Sequence, residues 1–184
     1  QREDIYDLLI FQGAQLQMSN NRMNDFEDGL HVSLCGAGGP MPAPKASGPC
    51  VIVVAGQKQF VIDAGTNGAR NIARMGYPLG EIEALFLTHF HSDHIDGLGE
   101  LATLRWVSAA NLRPLKVFGP NGVEDVVSGF NEAYRASALH RNEHHGDSVA
   151  PLSGSGMGAT PFHSPPLGTA VEIFHNGKPL IESG

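Results

Sequence analysis

The pattern of apolar and polar positions changes character near residue 31. Before it, Ile5, Leu8, Leu9 and Leu16 suit a short amphipathic helix, and the polar stretch 19–24 breaks that pattern. Residues 1–30 therefore read as an N-terminal extension, and 31–184 as the domain proper. From His31 the pattern is strand-like: Val32 and Leu34 lead into a Gly/Pro-rich turn at 36–49, then 51–55 and 59–62 form a hairpin around Gly56, Gln57 and Lys58. A helix follows over 67–75, with Ile72 and Met75 inward, Gly76 as its stop and Pro78 beyond. The apolar run Ala84, Leu85, Phe86, Leu87 reads as a buried strand.

Beyond that strand, Ile95, Leu98, Leu101 and Ala102 fall at helical spacing, so 96–107 reads as a helix with Trp106 packed on a sheet. Residues 115–118 make another strand. The stripe Val123, Val126, Val127, Phe130 and Tyr134 marks a second helix, with Asn121 as its candidate cap. Residues 147–170 are loop-rich and read as a flexible flap, and Asn176-Gly177 reads as a hairpin turn. This alternation argues for layered α and β elements.

Composition narrows the class. A chain of 184 residues that is 41% hydrophobic suffices for one sizeable core. No apolar run approaches the roughly 18 residues that a bilayer crossing needs, and nothing at the start reads as a signal peptide. A targeting segment ahead of Gln1 would leave either a cytoplasmic or an exported location open. The formal charge of −7 argues against broad affinity for nucleic acid, and residues 142–177 contain no Lys or Arg. Cys35 and Cys50 lack metal-type pairing and read by default as buried thiols, with a disulfide as the alternative. The glycine-rich turn opens a strand rather than a helix, which disfavours nucleotide binding.

One segment carries the chemistry. Thr88-His89-Phe90-His91-Ser92-Asp93-His94 places three imidazoles and a carboxylate directly after the buried strand. Nitrogen and oxygen donors of this kind suit zinc. His89 and His91, two residues apart at a strand end, turn to one side and form a natural pair for one ion. Asp93 and His94 fall where the chain turns into a helix and point elsewhere. One pair per ion suggests two metals sharing a bridging water or hydroxide for hydrolytic attack. The competing reading is a histidine-rich surface turn, and four ligand-type residues at this spacing make it the weaker one. Asp63, at a strand end, is either a turn residue or a carboxylate that orients a ligating histidine. His140, His144 and His145 stay unassigned, since a surface loop explains them equally well.

The run THFHSDHIDG resembles the signature of the metallo-β-lactamase-fold hydrolases, in a setting similar to the branch of ribonuclease Z and arylsulfatase-type enzymes. The likeness includes Leu34 to Pro40, then Gly48-Pro49-Cys50, Phe60 to Gly65 and His144-His145-Gly146, covering roughly residues 31–150. It implies an α+β fold, an αββα four-layer sandwich, of which this chain covers about the first half. It assigns His89 and His91 to a first metal and Asp93 and His94 to a second, with Asp93 the pivotal catalytic residue and Asp63 behind the ligands. The family's later ligands, a histidine, a GDT strand end and a final histidine, have no match here, so the chain reads as a fragment, inactive by itself.

The expected cofactor is a pair of Zn2+ ions per complete site, with Mn2+ or Fe2+ as alternatives. The expected function is metal-dependent hydrolysis of a phosphodiester, sulfate ester or related small-molecule ester, with a homodimer left open. The alternatives are a ribonuclease Z-type tRNA 3′ endonuclease and a non-catalytic metal-binding protein of the same fold. The absence of basic residues from 142–177 makes that stretch a poor RNA-gripping arm, which places nucleic acid second among substrates.

Overall fold

A computed structural model describes residues 21–41, 43–175 and 178–179. Its centre is a six-stranded sheet whose strands lie side by side in chain order: β1 (Leu30–Gly36), β2 (Cys50–Ala55), β3 (Lys58–Ile62), β4 (Ile82–Phe86), β5 (Leu115–Pro120) and β6 (Met157–Phe162). The first three pair antiparallel, and β3 through β6 pair parallel. Parallel neighbours need crossover connections, and helices supply them. α1 (Gly68–Arg74) lies between β3 and β4, α2 (Ser92–Ile95) and α3 (Leu98–Ser108) between β4 and β5, and α4 (Val123–His145) between β5 and β6.

Strand register explains the core. Ile52, Val61, Leu85 and Val117 stand opposite one another across four strands, and each is fully buried. They share one cluster with Ile72 of α1, Leu98 and Leu101 of α3 and Val127 of α4, so the apolar stripes of the helices cover that sheet face. On the other face Phe86 and Phe118 stack with centroids 5.1 Å apart, while Leu30, Val32 and Leu34 of β1 are 71%, 61% and 65% exposed. Met23 is buried in the core cluster, and Phe26 stacks on His31 at 4.2 Å, so residues 21–29 pack against the sheet.

Two buried polar side chains stand out. Arg105 donates from Nε to the Ile82 carbonyl at 2.8 Å and from Nη1 to the Arg113 carbonyl at 3.0 Å, tying α3 to the entrance of β4. Burial lowers its pKa, opposed in part by the charge of Glu83. Gln59 is fully buried, and its side-chain amide has no hydrogen-bond partner among the described residues.

The structure departs from the sequence reading in five places. The expected flap at 147–170 contains β6, which pairs with β5 from Met157 through Phe162. A strand spelled Met-Gly-Ala-Thr-Pro-Phe has little β signal of its own; β5 holds it in place together with Asn131, whose Nδ2 donates to the Met157 carbonyl and whose Oδ1 accepts the Met157 N–H. Pro161 is tolerated because β6 is an edge. The helix expected from residue 96 begins at Ser92 and is interrupted at Gly97, so Asp93 and His94 lie within a helical turn. α4 runs to His145, past the expected stripe, and ends at Gly146 with φ 71°. Its N-cap is Gly122, with φ 95°, rather than Asn121. Cys35 and Cys50 form a disulfide rather than two thiols. The residues meet because Gly36 and Cys50 are register partners at the ends of β1 and β2.

The hairpin at 56–57 is as read, with Ala55 opposite Lys58 and Gly56 at φ 58°. β7 (Phe174–His175) and β8 (Lys178–Pro179) form a small separate pair. The Asn176-Gly177 turn between them and the helix read over the first 20 residues lie outside the described residues.

Candidate metal centre

β4 delivers the chemistry-bearing segment. Its continuation is held by the Leu87 N–H, which donates to the Phe118 carbonyl at 2.7 Å, so Thr88 and His89 emerge at the carboxyl ends of parallel strands. Open α/β sheets present their functional loops at that edge. Next to it, at the end of β3, sits Asp63, 6% exposed and at φ 58°, a left-handed conformation that Asp tolerates better than most residues.

The Asp63 carboxylate organises the segment. It accepts the Thr88 backbone N–H at 2.9 Å on Oδ1, the Thr88 hydroxyl at 2.9 Å on Oδ2, and Nδ1 of His94 at 2.8 Å on Oδ2. A carboxylate oxygen accepts, so Nδ1 of His94 donates to it, and in the neutral imidazole Nε2 is the atom that carries the outward lone pair. Thr88 extends the same logic. Its single hydroxyl proton is committed to Asp63, so Oγ1 accepts from Nδ1 of His89 at 3.0 Å, and Nε2 of His89 is likewise left as a lone pair.

The four sequence-derived ligand candidates lie in one small region. Nε2 of His94 is 3.7 Å from Oδ2 of Asp93, and their side chains are 18% and 12% exposed. The His89 ring lies 4.0 Å from the His94 ring and 4.6 Å from the His91 ring, centroid to centroid. Among the described residues, no group of three or more His, Cys, Asp or Glu side chains is arranged to hold one ion. The sequence reading turns Asp93 and His94 away from His89 and His91, whereas the His89 ring lies nearer to His94 than to His91, because Asp63 and Thr88 hold both rings on one network. Nitrogen and oxygen donors with freed lone pairs fit a divalent ion, and completing tetrahedral coordination requires further ligands. His140, His144 and His145 occupy the last turns of α4, where the rings of His144 and His145 meet at 4.5 Å.

Backbone contacts stitch this segment to its surroundings. Ala64 N–H donates to the His94 carbonyl and Gly97 N–H to the Ala64 carbonyl, both at 2.8 Å. Gly65 N–H donates to the Pro49 carbonyl at 2.9 Å, and Gly48 N–H to the Thr66 carbonyl at 3.1 Å. The chain passes so closely here that a Cβ on Gly48 would lie 2.7 Å from the Asp93 carbonyl oxygen, and one on Gly97 2.5 Å from the Gly65 carbonyl oxygen. A cleft of about 550 Å3 opens beside Asp93, lined among others by Met41, Ala43, Pro44, Ser92 and Asp96.

Sequence reasoning missed Thr88 as the link between Asp63 and His89, and the glycines as close-approach points. Thr88 adjoins the histidine run, but its role depends on the β3–β4 pairing that brings Asp63 alongside it. Away from the centre, Lys116 Nζ bonds Glu83 Oε1 at 2.7 Å across β5 and β4. That hydrogen bond holds the Glu83 carboxyl below its ordinary pKa, opposed in part by burial.

Comparison with known proteins bears on this geometry. Residues 44–175 match the family described as the Metallo-beta-lactamase superfamily. Ribonuclease Z of Mycolicibacterium gilvum is 39% identical over 124 residues, which span 66% of this chain and 43% of that protein. Ribonuclease Z of Mycobacterium bovis is 36% identical over 124 residues, spanning 66% and 44% respectively. The chain thus spans less than half the length of these curated relatives. Among solved structures, human tRNase Z, short form, superposes with a TM-score of 0.50 at 24% identity, over 56% of this chain and 39% of that one. A diphosphatase from the PhnP family gives 0.50 at 18% identity, over 72% and 51%. Both structural likenesses concern the fold: a mixed α and β architecture built on the six-stranded sheet.

Proposed function

Because this chain belongs to the metallo-beta-lactamase superfamily, we propose that it supplies His89, His91, Asp93 and His94 as metal ligands to a hydrolase of the ribonuclease Z kind, acting on an RNA phosphodiester. The observation that carries this reading is the Asp63–Thr88 network, which holds the rings of His89 and His94 by their Nδ1 atoms and leaves both Nε2 atoms free to face a ligand, that of His94 beside the Asp93 carboxylate. Zinc is the favoured ion for such donors, with manganese or iron as alternatives. When bound, the metal supplies Lewis acidity toward a phosphoryl oxygen and a water whose pKa falls to about 7.

The chain's own residues do the positioning. Asp63 and Thr88 fix ring orientation and tautomer, Asp93 offers a carboxylate within reach of the same ion as His94, and the 39–48 loop bounds the cleft in which substrate would lie. RNA as substrate is supported by the relatives named ribonuclease Z. The formal charge of −7 and the absence of Lys and Arg from 142–177 argue against a phosphate grip on that stretch, and they are the reason to keep a small phosphodiester as the second reading.

The test incubates zinc-loaded protein in which this chain is joined to the further metal ligands its centre requires with a tRNA precursor bearing a 3′ extension, with bis(p-nitrophenyl) phosphate and with p-nitrophenyl sulfate. RNA cleavage that disappears in Asp93→Ala and His94→Ala supports the proposal. Turnover of the small phosphodiester without RNA cleavage selects the second reading. Full metal content with no hydrolysis of any of the three overturns the enzymatic assignment.

A further inference from the structure

The disulfide sits at the neck of the loop that walls the cleft. Cys35 and Cys50 are 2% and 1% exposed, and the bond between them closes a segment with a sequence separation of 15. One foot of this segment is anchored to α1 and the other to the backbone beside the candidate centre. On one side the Cys35 carbonyl accepts from Nδ2 of Asn71 at 2.7 Å, and the same nitrogen donates to Oγ of Ser47 at 2.9 Å. On the other side Pro49 and Gly48, directly before Cys50, bond Gly65 and Thr66, and Gly48 lies against the Asp93 carbonyl. Within the segment, Gly38 N–H donates to the Ser47 carbonyl at 2.7 Å, and the backbone at Gly36 runs tight against Gly48.

We propose that the Cys35–Cys50 disulfide is a redox-sensitive fastening that holds the 36–49 loop against the backbone of Asp93, so that its reduction loosens the second pair of metal ligands. The step balances with a dithiol as reductant: the Sγ–Sγ bond breaks, the two thiol protons of the dithiol end on Cys35 and Cys50, and the dithiol leaves as its cyclic disulfide. The sulfurs are buried, so a thiolate reaches them only when the loop opens, and reduction of the folded protein is slow. Once it occurs, the feet of the loop are joined only by hydrogen bonds. Gly48, which keeps its bond to Thr66, then gains freedom together with the Asp93 carbonyl it lies against and the α2 turn. The assignment of Asp93 and His94 as metal ligands is taken from the proposed function; the mechanical coupling is not.

Hydrogen–deuterium exchange measured by mass spectrometry tests the coupling on three samples: oxidised protein, protein reduced with dithiothreitol, and the Cys35→Ser, Cys50→Ser double variant. The expected result is exchange about tenfold faster at 36–49, 64–66 and 92–97 in the last two samples, with β5 and α4 within twofold of the oxidised protein. Zinc affinity, read by competition with a chromophoric chelator after the dithiothreitol has been removed under nitrogen, is expected to fall about tenfold in both. Faster exchange confined to 36–49 overturns the proposal, because the wall then moves without the ligands. Faster exchange everywhere, or failure of the double variant to fold, also overturns it, because the bond is then a general staple. Two titratable thiols in protein isolated without reductant overturn it at the start. A coupling that persists in protein that takes up no zinc sinks the metal-centre reading and leaves this inference standing.

Discussion

Replacing Asp63 by Asn tests the proton bookkeeping on which the candidate centre depends. Asn tolerates the left-handed φ of 58° about as well as Asp, so the backbone is not strained, as it would be by Ala. What changes is one acceptor oxygen. The carboxylate receives the Thr88 N–H and the His94 Nδ1–H on different oxygens, so either orientation of the Asn amide sets an N–H against one of these donors. A backbone N–H cannot move its proton, whereas an imidazole can, so the amide nitrogen is expected to face His94. His94 then gives up the bond or shifts its proton to Nε2, and in the second case the lone pair beside Asp93 is lost. A hydrogen bond to a charged group is worth about 1.5–3 kcal/mol. Substitutions behind a ligating histidine cost about 10–100-fold in metal affinity, or about 1.4–2.8 kcal/mol. Zinc affinity by chelator competition and the His94 tautomer by long-range imidazole 15N NMR read the two halves of the argument. A variant that binds zinc within twofold of the parent and keeps its proton on Nδ1 would refute the reasoning.

Three further outcomes follow from particular contacts. In Gly65→Ala the new methyl group would lie 2.5 Å from the Gly48 carbonyl carbon and crowd the Asp93 carbonyl, so about 1–3 kcal/mol of stability is expected to be lost together with second-site metal, and a calorimetric scan matching the parent would contradict the packing. Gln59→Met removes a fully buried amide that has no described partner, and should raise stability in urea by about 1 kcal/mol; a loss instead would reveal a bond not seen here. Glu83 has its pKa lowered by Lys116, so the pair stabilises the fold above the unfolded value of about 4.3, and that contribution is lost as pH falls through the lower folded value. Because the pair is partly exposed, Glu83→Gln should cost only about 0.5 kcal/mol near neutral pH, and a penalty that persists below the folded pKa would point to packing rather than charge.

What the sequence determined by itself is whatever repeats over a few residues. Short apolar runs on either side of a Gly-containing turn placed β2 and β3, the 3.6-residue stripe through Val123, Val127 and Phe130 placed α4, and three histidines with an aspartate in one seven-residue run marked where the chemistry lies. Helical and strand periodicity are local properties of the backbone, and ligands that share one turn of chain need no long-range contact to be noticed. Tertiary structure alone decided the rest. β6 is a strand because β5 offers it a ladder, Cys35 and Cys50 are bonded because β1 and β2 pair in one register, and Thr88 relays Asp63 to His89 because β3 lies beside β4. In each case the free energy comes from partners 15 or more residues away in the chain, and no local pattern of side chains records which strand will become a neighbour.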